Sequence, residues 1–478
     1  VALLLFSGLE WNRLFPRNGD AMQDALLKKY PVLKNMVSAY EIIKPEGVTR
    51  LIYNTVTGKK KRPNEAVMNF FKLATGVNTC EDILDALKHQ SGEPADDIWP
   101  GLSHLISQMV DQGLLTLLDT PGDTPKRPIS VELMHPLEGI SFEITRKCNL
   151  ECRHCYANAG DLLPDELTPQ EIKAFIDDVY NTGCLSITFS GGEPLLHPDI
   201  FELMEYAKQK PLSVLLFTNG TLLTPDIVKK LKNLPVYKVS VSIDGPDAET
   251  HDALRGVPGA FDKTIKGVNL LKEAHIPVKI SVSLTKLNYR KIPEILTLLK
   301  NLKVDDFKMW LISYSGRPQE KDIFLGLDEF RTAMEEYWEY QLGPPPREKD
   351  VFEYDKTENC GIGKGALCVK CNGVVTPCPG FGEDVSLGNI RHDSLQDIWN
   401  NSELLNRLRG ISVYDAEPCK TCEFALICKG GCLADVYGRS GKFVCHDEYM
   451  CITMEVTKDD FIPVEKDTES DELSVEMV

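Results

Sequence analysis

Two hydrophobic rhythms alternate through the middle of the chain. GISFEIT, CLSITFS, LSVLLFTNG, VYKVSVSIDG, PVKISVSLT and DFKMWLISY are short apolar or alternating runs, and they predict six strands between residues 139 and 314. Among them TPQEIKAFIDDVYNTG, HPDIFELMEYAKQK and TPDIVKKLKNL repeat their apolar residues every three or four positions, as amphipathic helices do. The first helix has Thr168 as N-cap and Glu171 three residues on. Strands alternating with helices mean βαβ units, so the predicted fold class is α/β with a parallel sheet. In such sheets ligands bind at the carboxyl ends of the strands.

Upstream of Thr120 the rhythm changes. GVTRLIYNTVTGKKKRPN predicts a small hairpin, NEAVMNFFKLA and TCEDILDALKHQ predict helices, and Thr79 caps the second. ADDIWPGLSHLISQMVDQG predicts a helix that starts or kinks at Pro100, and LLTLLD a short strand. Together they have the size of a small winged-helix unit. TPGDTPKRP, residues 120–128, reads as a linker. Beyond residue 457 the tail is acidic and poor in aromatics, which predicts disorder. The residues ahead of Met22 read as an extended start or a fragment and receive no function.

Composition narrows the classes. A chain of 478 residues suggests two to four domains, and 42% hydrophobic residues without a long apolar run describe a soluble globular protein. A net charge of -18 argues against bulk binding of nucleic acid or an anionic membrane. The apolar start has neither the basic segment nor the cleavage site of a secretory signal. Fifteen cysteines, an odd number in a long chain, therefore read as reduced thiols in the cytoplasm.

Those thiols are unevenly placed. Cys80 and Cys184 stand alone and read as small buried hydrophobes. Cys148, Cys152 and Cys155 follow the first predicted strand of the α/β region, and the other ten lie between Cys360 and Cys451. A zinc site wants four ligands. The triplet offers three, and His154, between two of them, points away in this reading. Three thiolates suit a [4Fe-4S] cluster with one iron open. Other strand ends add complementary groups. Ser190, Gly191, Gly192, Glu193 and Pro194 follow the second strand, where glycines allow close approach and Glu193 can accept from an ammonium. Ser242 and Asp244 close the fourth, with a hydroxyl and a carboxylate suited to a ribose, and Arg255 can hold a carboxylate bidentately.

CNLECRHCY, SGGEPLLHPD, TNG and SIDGP together resemble the radical S-adenosylmethionine (SAM) superfamily, over residues 137–320. The resemblance implies a partial (β/α)6 barrel in which Cys148, Cys152 and Cys155 hold the cluster and Glu193 takes the methionine amine. Tyr156 then flanks the adenine, Ser242 and Asp244 face the ribose or methionine end, and Arg255 holds the carboxylate. A reduced cluster would cleave S-adenosylmethionine to a 5′-deoxyadenosyl radical, with a low-potential donor such as flavodoxin or ferredoxin supplying the electron.

Residues 355–455 resemble the SPASM extension, through Cys419-x2-Cys422-x5-Cys428-x3-Cys432, Cys445, Cys360, Gly373-x4-Cys378, LGNI and DIW. It implies two auxiliary [4Fe-4S] clusters, three in all: one on Cys360, Cys378 and Cys432 with a further ligand, the other on Cys419, Cys422, Cys428 and Cys445. Paired zinc sites are the alternative. For the further ligand, a two-residue hairpin loop at Asn372-Gly373 would put Cys371 on the face of Cys378 and Cys368 on the other. Cys371 is preferred on that ground. Cys368, or a substrate thiolate, stays open, and Cys451 is unassigned.

Residues 40–120 resemble the RiPP recognition element, a winged-helix-like domain that binds the leader of a ribosomally made precursor peptide by strand addition. A DNA-binding winged helix is the competitor, with only GKKKR basic. The resemblances together imply a peptide maturase of the thioether-forming, ranthipeptide type, since auxiliary clusters suit reactions that lose an electron after hydrogen abstraction. Carbon–carbon crosslinking is the alternative. Formylglycine formation is disfavoured because Pro379 stands where that subfamily has an aspartate. A non-catalytic iron–sulfur carrier is the reading from another class. No catalytic base is identified.

Overall fold

A computed structural model describes residues 25–34, 37–44, 47–122, 128–234, 236–317, 321–342 and 359–457. The start ahead of Met22, most of the linker and the acidic tail beyond residue 457 lie outside the described residues. The chain divides into two compact units, meeting in sequence between Glu132 and Leu133.

The first unit contains β1 (Tyr30–Leu33), β2 (Val37–Lys44), β3 (Gly47–Asn54), β4 (Lys60–Lys61), β5 (Leu115–Leu118) and β6 (Ile129–Glu132). β1 pairs with β5, and the other four form a sheet in the order β4-β3-β2-β6. Three helices follow β4. Asn64 caps Glu65–Leu73, and Thr79 with Asp82 forms a reciprocal capping box on Cys80–Ser91. The third, Ala95–Asp111, starts five residues before Pro100 and runs through it. Burial of Trp99, Leu102 and Ile106 on one face outweighs the bond that Pro100 cannot donate. These helices enclose a core with Met68, Phe70, Phe71 and Ile83. β6, which runs parallel to β2, was not expected: four residues beside a Pro-rich segment carry too little pattern.

The second unit realises the six predicted strands as β7 (Gly139–Thr145), β8 (Ser186–Gly191), β9 (Ser213–Thr218), β10 (Lys238–Ser242), β11 (Val278–Leu284) and β12 (Asp306–Leu311). All are parallel, and each pairs with the next. Alternate side chains turn outward, where Phe142 of β7 meets Phe175 of helix Pro169–Asn181 at 5.2 Å between ring centroids. Glu143 and Ser190 take the opposite, inner face. The cysteine-rich region continues this sheet. β13 (Ala366–Val369) lies parallel to β7 on its free side, and β14 (Val374–Thr376) and β15 (Gly388–Asn389) extend it to nine strands. Among the described residues no helix is long and apolar enough to cross a membrane.

Candidate active site at the three-cysteine loop

The loop after β7 is irregular, and its backbone is held from three directions. At its base Cys148 N donates to Gly160 O (2.8 Å) and Gly160 N to Arg146 O (2.9 Å). On one flank Glu151 N and Arg153 N donate to Arg255 O (3.1 Å) and Leu254 O (3.0 Å), the carbonyl end of helix Ala248–Arg255. On another, Arg317 N donates to Cys155 O (2.9 Å), while its guanidinium reaches Cys152 O (2.8 Å) and Ala159 O.

Cys152 is buried, and Cys148 and Cys155 are half-buried, among Leu150, Val257 and Ala260. Burial pushes the Cys148 thiol up to about 11 and raises Cys152 too, although Arg255 works in the other direction on Cys152. Arg255 Nη1 donates to Cys152 Sγ (3.6 Å) and Ala159 N to Cys155 Sγ (3.3 Å). Three free thiols gathered on one loop, two of them already facing N–H donors, fit a seat for an iron–sulfur cluster.

Glu193 is fully buried beside this loop. Oε1 accepts from Thr218 Oγ1 (2.8 Å) and Leu195 N (3.1 Å), and Oε2 from Asn219 N (2.8 Å). Burial pushes its carboxyl up to about 7, against those bonds. Gly191 and Gly192 lie tight against the chain's own backbone. A Cβ on Gly192 would sit 2.6 Å from Arg146 O and closer still to Lys147 O, so the glycines let β8 press against the backbone entering the cysteine loop.

Asp244 and Arg255, expected on ribose and carboxylate, face each other across the site. Arg255 Nη2 lies 2.7 Å from Asp244 Oδ2, both are buried, and Ser283 N donates to Asp244 Oδ1 (2.8 Å). Burial opposes the charge on Asp244, yet Arg255 and His154 hold it below the usual carboxylate range. His154 Nε2 is 3.3 Å from Asp244 Oδ2, and burial lowers its pKa to about 4. Ser242 ends β10 half-buried, in register with Ser281. Half-buried Tyr156 faces Ser190 and Glu143, with Lys370 Nζ 5.8 Å from its ring centroid.

The hairpin register corrects the expectation at the auxiliary cysteines. Cys368 pairs with Thr376 and Val369 with Val375, while Lys370 N donates to Val374 O (2.8 Å). The loop is therefore Cys371-Asn372-Gly373, three residues long. Alternation then puts Cys368 on the face that leads to Cys378, and Cys371 loses the ground on which it was preferred. Cys368 lies within electrostatic reach of Cys378, and Cys432 of both Cys378 and Cys360. In the other group Cys428 lies within electrostatic reach of Cys419 and Cys422, and Cys451 of Cys428 and Cys422, while Cys445 is within reach of Cys360 of the first group as well as of Cys419 and Cys428.

Sequence reasoning missed Glu143, Lys370 and Arg317. Lys370 Nζ bonds Glu143 Oε1 (2.8 Å), and Cys368 Sγ lies 3.8 Å from the same oxygen. A lone carboxylate in the apolar strand GISFEIT was the available signal. Arg317 had none.

The sequence matches the radical SAM superfamily over residues 142–299 and the SPASM iron–sulfur cluster-binding domain over residues 360–423. It is 35% identical over 341 residues to the AdoMet-dependent heme synthase of Methanosarcina barkeri, covering 66% of this chain and 95% of that protein. It is 31% identical over 320 residues to AlbA, the antilisterial bacteriocin subtilosin biosynthesis protein of Bacillus subtilis, covering 63% of this chain and 68% of AlbA. The fold superposes on Streptococcus suis SuiB bound to its precursor peptide SuiA with a TM-score of 0.63 at 16% identity, covering 88% of this chain and 99% of SuiB.

Proposed function

The chain belongs to the radical SAM superfamily and carries its SPASM iron–sulfur extension, and from that premise we propose that it matures a ribosomally made precursor peptide by installing crosslinks. It is a radical SAM enzyme with S-adenosylmethionine and [4Fe-4S] clusters as cofactors. When bound, they supply a carbon radical able to take a hydrogen atom from an unactivated C–H bond. Cys148, Cys152 and Cys155 hold the cluster, the helix end at Arg255 and the Arg317 guanidinium fix the loop, and Glu193 receives the methionine amine. Cys360, Cys378 and Cys432 with Cys368, and Cys419, Cys422, Cys428 and Cys445, hold two auxiliary clusters. A flavodoxin or ferredoxin is the electron donor.

The observation that carries the peptide reading is the first unit. β4 covers only Ile52 and Tyr53 of β3, so among the described residues the edge at residues 47–51 faces no strand. An extended leader can add there through main-chain hydrogen bonds. SuiB, on which the fold superposes over 88% of this chain, is seen with a bound precursor peptide. The favoured product is a thioether. Each link removes two hydrogens: a hydrogen atom from carbon, a proton from the thiol, and one electron passed to an acceptor.

A second reading, formation of heme from a tetrapyrrole precursor, draws on the 35% identity to the heme synthase. Anaerobic reaction with S-adenosylmethionine, reductant and a cysteine-containing precursor encoded nearby separates the two. A maturase yields peptide two hydrogens lighter per link, with a blocked thiol, and the yield falls when the leader is removed. Unchanged peptide, with heme formed from a tetrapyrrole precursor, overturns the maturase reading. A lighter peptide with a free thiol overturns the thioether.

A further inference from the structure

We propose that Arg255 is a positioning residue for the radical SAM cluster: it donates to the ligand sulfur of Cys152, and Asp244 behind it sets how much positive charge that sulfur feels. The inference rests on the reading that Cys148, Cys152 and Cys155 hold the cluster.

The guanidinium is held between Cys152 and Asp244. Helix Ala248–Arg255 ends at Gly256 in the left-handed conformation, and its last carbonyls hold the amides of Glu151 and Arg153 on either side of Cys152. The residue that supplies one of those carbonyls also supplies Nη1 to Cys152 Sγ, at 3.6 Å. Nη2 lies 2.7 Å from Asp244, whose other oxygen is fixed by Ser283 N and whose carbonyl accepts from Asn288 Nδ2 (2.8 Å). Asp244 is fully buried and Arg255 is 8% exposed, so water does little to screen either charge. Reducing a cluster adds negative charge, and donors to its sulfurs raise its potential. Arg255 stabilises the reduced state and Asp244 opposes it, so removing them one at a time shifts the potential in opposite directions.

The test is potentiometry of the reconstituted full chain followed by EPR, in which the signal that changes on adding S-adenosylmethionine identifies the radical SAM cluster. Arg255→Gln removes the positive charge beside Cys152 Sγ and leaves the Asp244 carboxylate to Ser283 N and His154. Its midpoint should fall by a tenfold change in the reduced-to-oxidised ratio, about 59 mV for one electron. Asp244→Asn keeps the donor and frees its charge, so the midpoint should rise. A merely structural pair would lower iron content in both variants and leave the midpoint of the remaining cluster in place. Shifts of the same sign, or no shift in Asp244→Asn, overturn the proposal. If Arg255→Gln takes up no iron, Arg255→Lys replaces it, with a smaller fall expected and an unchanged midpoint refuting. Absence of any S-adenosylmethionine response in the unsubstituted protein refutes instead the assignment of the cluster to the three cysteines.

Discussion

Lys370→Met should destabilise the sheet between β7 and β13, and Glu143→Gln should rescue it. The Lys370–Glu143 pair is nearly sealed from water, with side chains 6% and 7% exposed and Nζ to Oε1 at 2.8 Å. At an effective dielectric near 20 the attraction is about 6 kcal/mol, most of it offset by desolvating both ions. Burial works against the Lys370 charge, but Cys368 and Glu143 hold its pKa above the ordinary value. Removing the lysine alone leaves a buried carboxylate beside a thiol, at a cost of about 3–5 kcal/mol. The double variant Glu143→Gln/Lys370→Met leaves no buried charge and should cost less than either single change, a coupling of at least about 2 kcal/mol. Because the chain has two units, global unfolding is a poor assay. Native-state hydrogen exchange on peptides spanning Gly139–Thr145 and Ala366–Val369 reads the local stability. Single-variant costs that simply add in the double variant would refute a coupled buried pair.

Cys368→Ala should alter the EPR signal or iron content of an auxiliary cluster while Cys371→Ala leaves both unchanged; the opposite pattern restores the two-residue loop. Gly192→Ala forces a methyl against Arg146 O and Lys147 O, at about 1–3 kcal/mol, and should lower iron bound at the S-adenosylmethionine-responsive cluster while sparing the auxiliary ones, measured by iron analysis with EPR. Glu193 gives a pH dependence. Its folded pKa is raised from 4.5 to about 7, so the folded apoprotein binds more protons than the unfolded chain between those values. Stability should therefore fall as pH rises from about 4.5 to 7, by about 3 kcal/mol at 1.36 kcal/mol per unit. Glu193→Gln should flatten that slope in hydrogen exchange of Ser213–Thr218, and an unaltered slope refutes the assignment.

The six parallel strands were legible because each carries its own pattern: Ile187 and Phe189, or Val239 and Val241, alternate with residues of the inner face, and Thr168 and Thr224 mark helix starts. The continuation through β13 was not, because Ala366 pairs with Gly139 across more than two hundred residues and four residues of strand announce no partner. The hairpin misled for a local reason. Asn372-Gly373 suits a two-residue turn, but Gly373 at φ +87° closes a three-residue loop just as well, and one residue of slip exchanges the faces of Cys368 and Cys371. Chemical type was legible at Asp244 and Arg255, and partner was not: a carboxylate and a guanidinium eleven residues apart suit a ligand equally well or suit each other.

That ambiguity bears on how the cysteine loop keeps its shape. Cys148-x3-Cys152-x2-Cys155 has no strand or helix of its own from which to project three thiols. Its amide donors go to Gly160, Leu254 and Arg255, and its carbonyls at Cys152, Cys155 and Ala159 go to Arg317. The partners come from three segments of the chain, at Gly160, Leu254–Arg255 and Arg317, so the spacing of the cysteines is necessary but not sufficient for a three-thiolate seat. Arg255 contributes to the brace through its backbone and to the sulfur through its side chain, a division of labour that a backbone-only brace would not need. Glycine at position 256 preserves it, since a Cβ there would lie 2.5 Å from Glu151 O and lift the loop from the helix end.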